Sequence, residues 1–288
     1  MKKEKQIIIF ILFLLFVVNI ISWNYLFDIN REVFRVVFFD VGQGDAILIK
    51  TPQKHYILID GGAGSVVLEK LSKEIPFFNK TIDLVILSHP HDDHVSGLIE
   101  VVRRYNVKDI ICTGVSGESS VSERWKELIE ESGYYQARAG KTISANNFTI
   151  NILYPVENIK DKEVKDLNEV SVVARFIAND RGSFLFTGDV YMKQEQEMIS
   201  NYNDCKKDGF AFCKKFSLKS DVLKVGHHGS RTSTADDFLF AVLPKVAVIM
   251  SGEGNRYGHP HSDVLKKLER NNIIIKRTDR DGDIIFEI

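Results

Sequence analysis

Seven of the eight histidines in this 288-residue chain fall in three tight clusters. The first, Ser88-His89-Pro90-His91-Asp92-Asp93-His94, directly follows the run Ile82-Asp83-Leu84-Val85-Ile86-Leu87. That run is short, β-branched and leucine-rich, which predicts a buried strand. A strand end gives the histidines a rigid support, and Pro90 keeps the following residues from simply continuing the strand. Solvation gives no reason to gather three imidazoles and two carboxylates in six positions, whereas ligation of Zn²⁺ or a similar divalent ion does. The other clusters are Gly226-His227-His228-Gly229-Ser230 and Tyr257-Gly258-His259-Pro260-His261, and His55 stands alone.

The rest of the chain reads as alternating strands and helices. Strands are expected at Val33 to Phe39, Ala46 to Lys50 and His55 to Ile59, and helices at Val66 to Ile75, Gly97 to Tyr105 and Ser122 to Ser132. Gly42, Gly44, Gly61 and Gly62 punctuate the strand ends and permit close backbone approach. Ser183 to Phe186 runs into Thr187-Gly188-Asp189, and Val222 to Val225 into Gly226-His227-His228, so the second half also delivers polar groups at strand ends. This pattern is α/β but does not select one α/β fold. With 44% hydrophobic residues a sizeable core is within reach, and the formal net charge of -1 gives no global attraction to nucleic acid.

Lys2, Lys3 and Lys5 precede an apolar stretch whose 21 residues, Ile7 through Phe27, match the roughly 20 needed to span a bilayer. Flanking lysines predict an N-inside orientation, and Ser22-Trp23-Asn24-Tyr25 is poor in small residues for cleavage. Residues 1-28 are therefore expected to be a retained single-pass signal anchor in the cell membrane, with residues 29-288 as an extracellular domain. A cleaved, secreted form is the alternative. In such a compartment Cys205 and Cys213 could close an insertion of about 201-219, while Cys112 reads as a buried thiol.

His89-x-His91-x-Asp93-His94 resembles the signature of the metallo-β-lactamase superfamily. Further segments are similar to the hydrolase domain of ComEC-type competence proteins: Phe39-Asp40-Val41-Gly42-Gln43-Gly44-Asp45, Asp60-Gly61-Gly62, Thr187-Gly188-Asp189, Leu223-Lys224-Val225-Gly226-His227-His228-Gly229-Ser230 and Tyr257-Gly258-His259-Pro260. The resemblance implies a four-layer αββα sandwich with one or two divalent ions at a sheet edge, Zn²⁺ first and Mn²⁺ as the alternative. By the same resemblance Asp189 bridges the ions, His89 and His91 hold the first, and Asp93, His94 and His227 hold the second. Asp93 and His259 are the catalytic candidates. Asn168, Ser171, His228, Ser230 and His261 are candidates for substrate contact or support. Residues 95 to 188 lack the histidine that many superfamily members carry there, and Asn168-Glu169-Val170-Ser171 matches the Asn-x-x-Ser pattern of ComEC-type domains instead.

The implied activity is hydrolysis of a phosphodiester, with DNA as substrate and DNA uptake as setting. Lys206, Lys207, Lys214, Lys215 and Lys219, interleaved with Phe210, Phe212 and Phe216, are candidates for phosphate and base contact. A small ester (phosphocholine, lactone or lactam) and a non-catalytic surface binding module are the competing expectations.

Overall fold

The computed structural model describes residues 2–29, 33–159, 164–208 and 213–288. Its strands form two seven-stranded sheets. The first runs across as Ile284–Glu287 (β14), Arg35–Phe38 (β1), Ile47–Lys50 (β2), Tyr56–Ile59 (β3), Thr81–Ile86 (β4), Asn106–Cys112 (β5) and Tyr135–Gln136 (β6). The second runs as Ile274–Arg277 (β13), Val246–Ile249 (β12), Val222–Lys224 (β11), Ser183–Phe186 (β10), Val173–Ile177 (β9), Phe148–Tyr154 (β8) and Thr142–Ala145 (β7). Strands β3 to β6 are mutually parallel, as are β10 to β13.

Alternation along each strand builds the layers. Val36 and Phe38 of β1 point between the sheets, where Phe34, Phe176, Phe184 and Phe186 join them; Val37 and Phe39 point outward. The outer face of the first sheet is covered by Val66–Glu74 (α2), Asp92–Arg104 (α3) and Ser120–Ser132 (α4), through residues such as Leu71, Leu98 and Trp125. Met192–Asp208 (α5), Asp236–Val242 (α6) and Ser262–Arg270 (α7) cover the second with Met198, Phe238 and Leu268. The result is the αββα sandwich expected from the resemblance.

One helix boundary differs from the sequence expectation in a way that shapes the site. The helix after the first histidine cluster begins at Asp92, five residues earlier than Gly97, with His91 as its extended N-cap. Asp92 and Asp93 occupy the first turn, where carboxylates interact favourably with the helix N-terminus. Asp93 and His94 are thus helical residues, on a firmer support than a loop. The helix is seated by two glycines: a Cβ on Gly97 would lie 1.9 Å from the Gly61 carbonyl oxygen. Their closeness allows Gly61 N–H to donate to the His94 carbonyl at 2.7 Å and Gly97 N–H to donate to Gly62 at 3.0 Å.

Lys2–Ile29 (α1) is the one helix among the described residues long and apolar enough to cross a membrane. Cys205 and Cys213 form a disulfide with Cα atoms 5.6 Å apart. Phe210 and Phe212, and with them the centre of the 201-219 segment, lie outside the described residues. Cys112 is buried, and burial pushes its thiol up to about 12, so it stays protonated and unreactive.

Glu195 in α5 is a buried carboxylate whose oxygens accept from Thr234 N–H at 2.6 Å and Ala235 N–H at 2.8 Å, fixing the approach to α6. Burial pushes it up to about 7, against those two hydrogen bonds and Lys267, from an ordinary value of 4.5. Between these pH values the folded state holds more protons than the unfolded one, so this group's contribution to stability falls as pH rises from 4.5 through 7. Glu195→Gln does not titrate. From pH about 5 to about 8, the variant should gain on wild type by up to about 3 kcal/mol in urea unfolding. A constant difference across that range would refute the assignment.

Candidate metal centre

The C-terminal ends of parallel strands from both sheets meet at one edge, and each delivers part of a polar cluster. After β4 come His89 and His94, both fully buried; after β10 comes Asp189; after β11 come His227 and His228. Ligand atoms of His89, His94 and Asp189 lie within 4.8 Å of one another, as do those of Asp93, His94 and His228.

His94 is oriented from behind. Its Nδ1–H donates to Asp60 Oδ2 at 2.9 Å, while Ser88 N–H and Oγ–H donate to the same carboxylate at 2.7 and 2.6 Å. This turns His94 Nε2 toward Asp189 Oδ2 at 3.4 Å and Asp93 Oδ1 at 3.9 Å. His228 is held in the same manner: Nδ1–H donates to the Met250 carbonyl at 2.8 Å, and Nε2 points at Asp189 Oδ2, 3.3 Å away, and Asp93 Oδ2, 3.5 Å away. Both Nε2 atoms are buried without a hydrogen-bond partner among the described residues. Such atoms normally carry a full desolvation cost, which a coordinated cation removes. His89 Nε2 and His91 Nδ1 sit 2.9 Å apart, a separation two bare lone pairs do not tolerate without a proton or a cation between them.

The electrostatics are those of an anionic pocket closed by imidazoles. Burial works against its charge, yet His94 and His228 hold Asp93 well below the carboxylate range. Asp189 is likewise lowered despite burial, by His228, His94 and Lys224. Burial, with His94 nearby, drives His89 well below its ordinary value. Lys224, fully buried at the end of β11, donates from Nζ to the Gly188 carbonyl at 2.8 Å, pairs with Asp45, and lies 3.4 Å from Asp189 Oδ1.

A sequence profile of the metallo-beta-lactamase superfamily matches residues 39–253. The chain belongs to that superfamily. It is 29% identical over 271 residues to ComE operon protein 3 of Bacillus subtilis (strain 168), a match covering 88% of this chain and 33% of the relative. Competence protein ComA of Neisseria gonorrhoeae is also 29% identical, over 256 residues, with 87% and 32% covered. The chain therefore spans about a third of the length of these ComEC-type relatives. Among solved structures, Igni18, a metallo hydrolase from Ignicoccus hospitalis, superposes with a TM-score of 0.54 at 17% identity, covering 89% of this chain and 99% of that one, a likeness of fold. The chain is thus a metallo-hydrolase of the metallo-beta-lactamase superfamily, which binds one or two metal ions, and is related to competence proteins.

The superfamily centre opens into a cleft of about 710 Å³ lined by His91, Asp93, Asn168, Asp189, His227, His228 and His259, among others. His227 stands at its wall, 22% exposed, with Nε2 4.0 Å from Asp189 Oδ2 and Nδ1 3.2 Å from Thr232 Oγ1. The His259 ring is 5.5 Å from that of His227 and stacks on Tyr257. Burial, then His227, His228 and His261, push His259 down to about 4. Asn168 donates to the Tyr191 hydroxyl at 2.8 Å and keeps a buried, unpaired Oδ1. Three expected substrate contacts lie outside the cleft lining. Ser171 Oγ accepts from Asp189 N–H at 3.2 Å, Ser230 bonds Thr232 at 3.0 Å, and His261 stands at the N-cap position of α7 without a side-chain capping bond.

Two features differ from the sequence expectation. Asp60, Asp45 and Lys224 carry no ligand pattern of their own, although their motifs were visible; their roles rest on contacts across 28 residues or more. The lysine group, conversely, is distant: α5 leaves the site at Met192 and carries Lys206 and Lys207 about 20 Å away. There Lys207 pairs with Asp204, Lys206 covers the Tyr202 ring, and Lys215 covers Phe216. None of the five lysines lines the cleft.

Proposed function

We propose that this chain is a membrane-anchored, extracellular phosphodiesterase acting on DNA. The observation that carries it is the pair of buried Nε2 atoms on His94 and His228, without a hydrogen bond among the described residues and 3.4 and 3.3 Å from the Asp189 carboxylate, in a chain related to competence proteins. His89 and His91 would hold one divalent ion, Asp93, His94 and His228 the other, and Asp189 would lie between them. His228 takes the seat that the resemblance gave to His227, because its Nδ1 is committed to Met250 and its Nε2 is the nearer to Asp189. When bound, Zn²⁺ or Mn²⁺ would supply an acidic water and offset phosphoryl charge.

The chain's own groups do the positioning. Asp60 and the Met250 carbonyl fix the imidazole tautomers, and Ser171 holds the Asp189 backbone. His259, uncharged at neutral pH, offers an N–H to an anionic oxygen of the substrate rather than the proton of an imidazolium. His227 and Asn168 flank the same space. α1 would anchor the chain with its N-terminal lysines inside, leaving the cleft outside the cell.

The cleft rim tempers the substrate. Among the described residues, Asp92, Glu118 and Asp166 line it together with a single lysine, Lys165. That favours a second reading, a short diester or small ester, over a long polyanion. Full-length protein in detergent, assayed on single-stranded DNA and on bis(p-nitrophenyl) phosphate with Zn²⁺, Mn²⁺ or EDTA, tests both. Metal-dependent cleavage of both substrates is expected. With one or two phosphate contacts, DNA affinity should fall only about threefold to sevenfold from about 50 to about 200 mM salt. A fall of hundreds-fold would locate binding on a basic surface elsewhere. Hydrolysis of the small diester without DNA would establish the second reading.

A further inference from the structure

At the opposite end of the strands from the cleft, the loop between α2 and β4 projects two aromatic rings into solvent. Phe77 is 87% and Phe78 69% exposed, and the rings meet edge to face at 5.5 Å. Such a pair on an open loop buries nothing within the fold. Beside it runs a groove of about 600 Å³ whose walls include Val33, Arg35, Lys50, Lys54, Lys73 and Phe78. Four cations and two carboxylates line this groove, and the two carboxylates share one cation: Glu74 and Glu287 both pair with Arg35, at 2.9 and 2.5 Å. Lys73 pairs with Glu69 along α2. Lys50 and Lys54 then outweigh the one carboxylate charge that Arg35 leaves unbalanced, so the groove keeps a net positive sign.

The position of this patch along the chain identifies what covers it. α1 ends at Ile29 and Val33 already forms part of the groove wall. Four Cα steps span at most about 14 Å, so the groove and its aromatic rim cannot be far from wherever α1 ends. With α1 taken as a membrane anchor, as proposed above, that place is the outer headgroup layer.

We infer that the Phe77-Phe78 loop and the Lys50-Lys54 groove form a second membrane contact, with the rings in the interfacial layer and the lysines on anionic headgroups. Aromatic side chains favour this layer, and lysines near an anionic surface add attraction that falls off within a Debye length. β4 runs from this end, at Thr81, to the histidine cluster after Ile86, a distance of about 20 Å. The contact therefore turns the cleft away from the bilayer, toward substrates arriving from the medium.

Nitroxide labels on full-length protein in vesicles test the inference. Cys112 is buried and Cys205 is bonded to Cys213, so a new thiol is the one the reagent reaches. Labels are placed through Phe77→Cys, through Phe240→Cys on the exposed side of α6, and through Leu14→Cys within α1, in phosphatidylcholine vesicles with and without phosphatidylglycerol. The ratio of oxygen to nickel-chelate collisions should be severalfold higher at position 77 than at 240, and should rise further with phosphatidylglycerol. In the Lys50→Glu/Lys54→Glu background that further rise should vanish. A label at 77 as water-exposed as that at 240, while the label at 14 reports hydrocarbon, would overturn the contact and leave the anchor standing. A label at 14 that reports water would overturn the anchor, and the contact with it.

Discussion

Asp93→Ala should lose metal-dependent hydrolysis by on the order of 10³-fold or more, about 4 kcal/mol of transition-state stabilisation, with a melting temperature within a few degrees of wild type. The asymmetry follows from where Asp93 sits. Its oxygens lie 3.9 Å from His94 Nε2 and 3.5 Å from His228 Nε2, so it faces both imidazoles, as Asp189 does, but from a more exposed position in the cleft. Its side chain is 32% exposed and belongs to no apolar cluster. Truncation removes a charged group from the first turn of α3, worth about 0.3–1 kcal/mol at a helix N-terminus, and Asp92 remains beside it. Metal analysis should show a lower content than wild type, and circular dichroism an unchanged fold. Undiminished turnover would remove Asp93 from the mechanism and with it the assignment of the second ion.

Part of this site was legible in the sequence. That His89, His91, Asp93 and His94 come together was legible because they leave one strand end and its following turn, where spacing in sequence is spacing in space. Asp189 was legible through its motif. Which of His227 and His228 is buried nearer to Asp189 was not. Both have left-handed backbone conformations, φ 48° and 53°, in a tight turn after β11, and no periodicity says which of two adjacent rings such a turn buries. The lysine group misled for the opposite reason. Its clustering is real, but the 17-residue length of α5 carries it away from the cleft. The sheet order, with β14 returning beside β1, and the groove under Val33 depend on pairings more than 200 residues apart that local pattern does not encode.

Lys224→Met carries the second large effect, and it falls on stability. Lys224 ends β11 with its side chain on the inner face, fully buried, where alternation calls for an apolar residue such as Val222. It is there because Asp45 and Asp189 are also buried, and its Nζ serves both as well as the Gly188 carbonyl. Methionine conserves volume but leaves two carboxylates without their shared cation. Breaking a buried pair in this way costs about 3–5 kcal/mol, so metal-free protein should melt about 10 °C lower. The same loss removes a positive charge 3.4 Å from Asp189 Oδ1, and an added divalent ion then finds a more negative site. Zinc should therefore raise the melting temperature of Lys224→Met by more than it raises that of wild type, recovering part of the deficit. Equal zinc shifts in the two proteins would mean that Lys224 and the ion do not share Asp189. A zinc shift smaller in the variant would instead give Lys224 the role of holding Asp189 in a ligating orientation, at the expense of the purely electrostatic account.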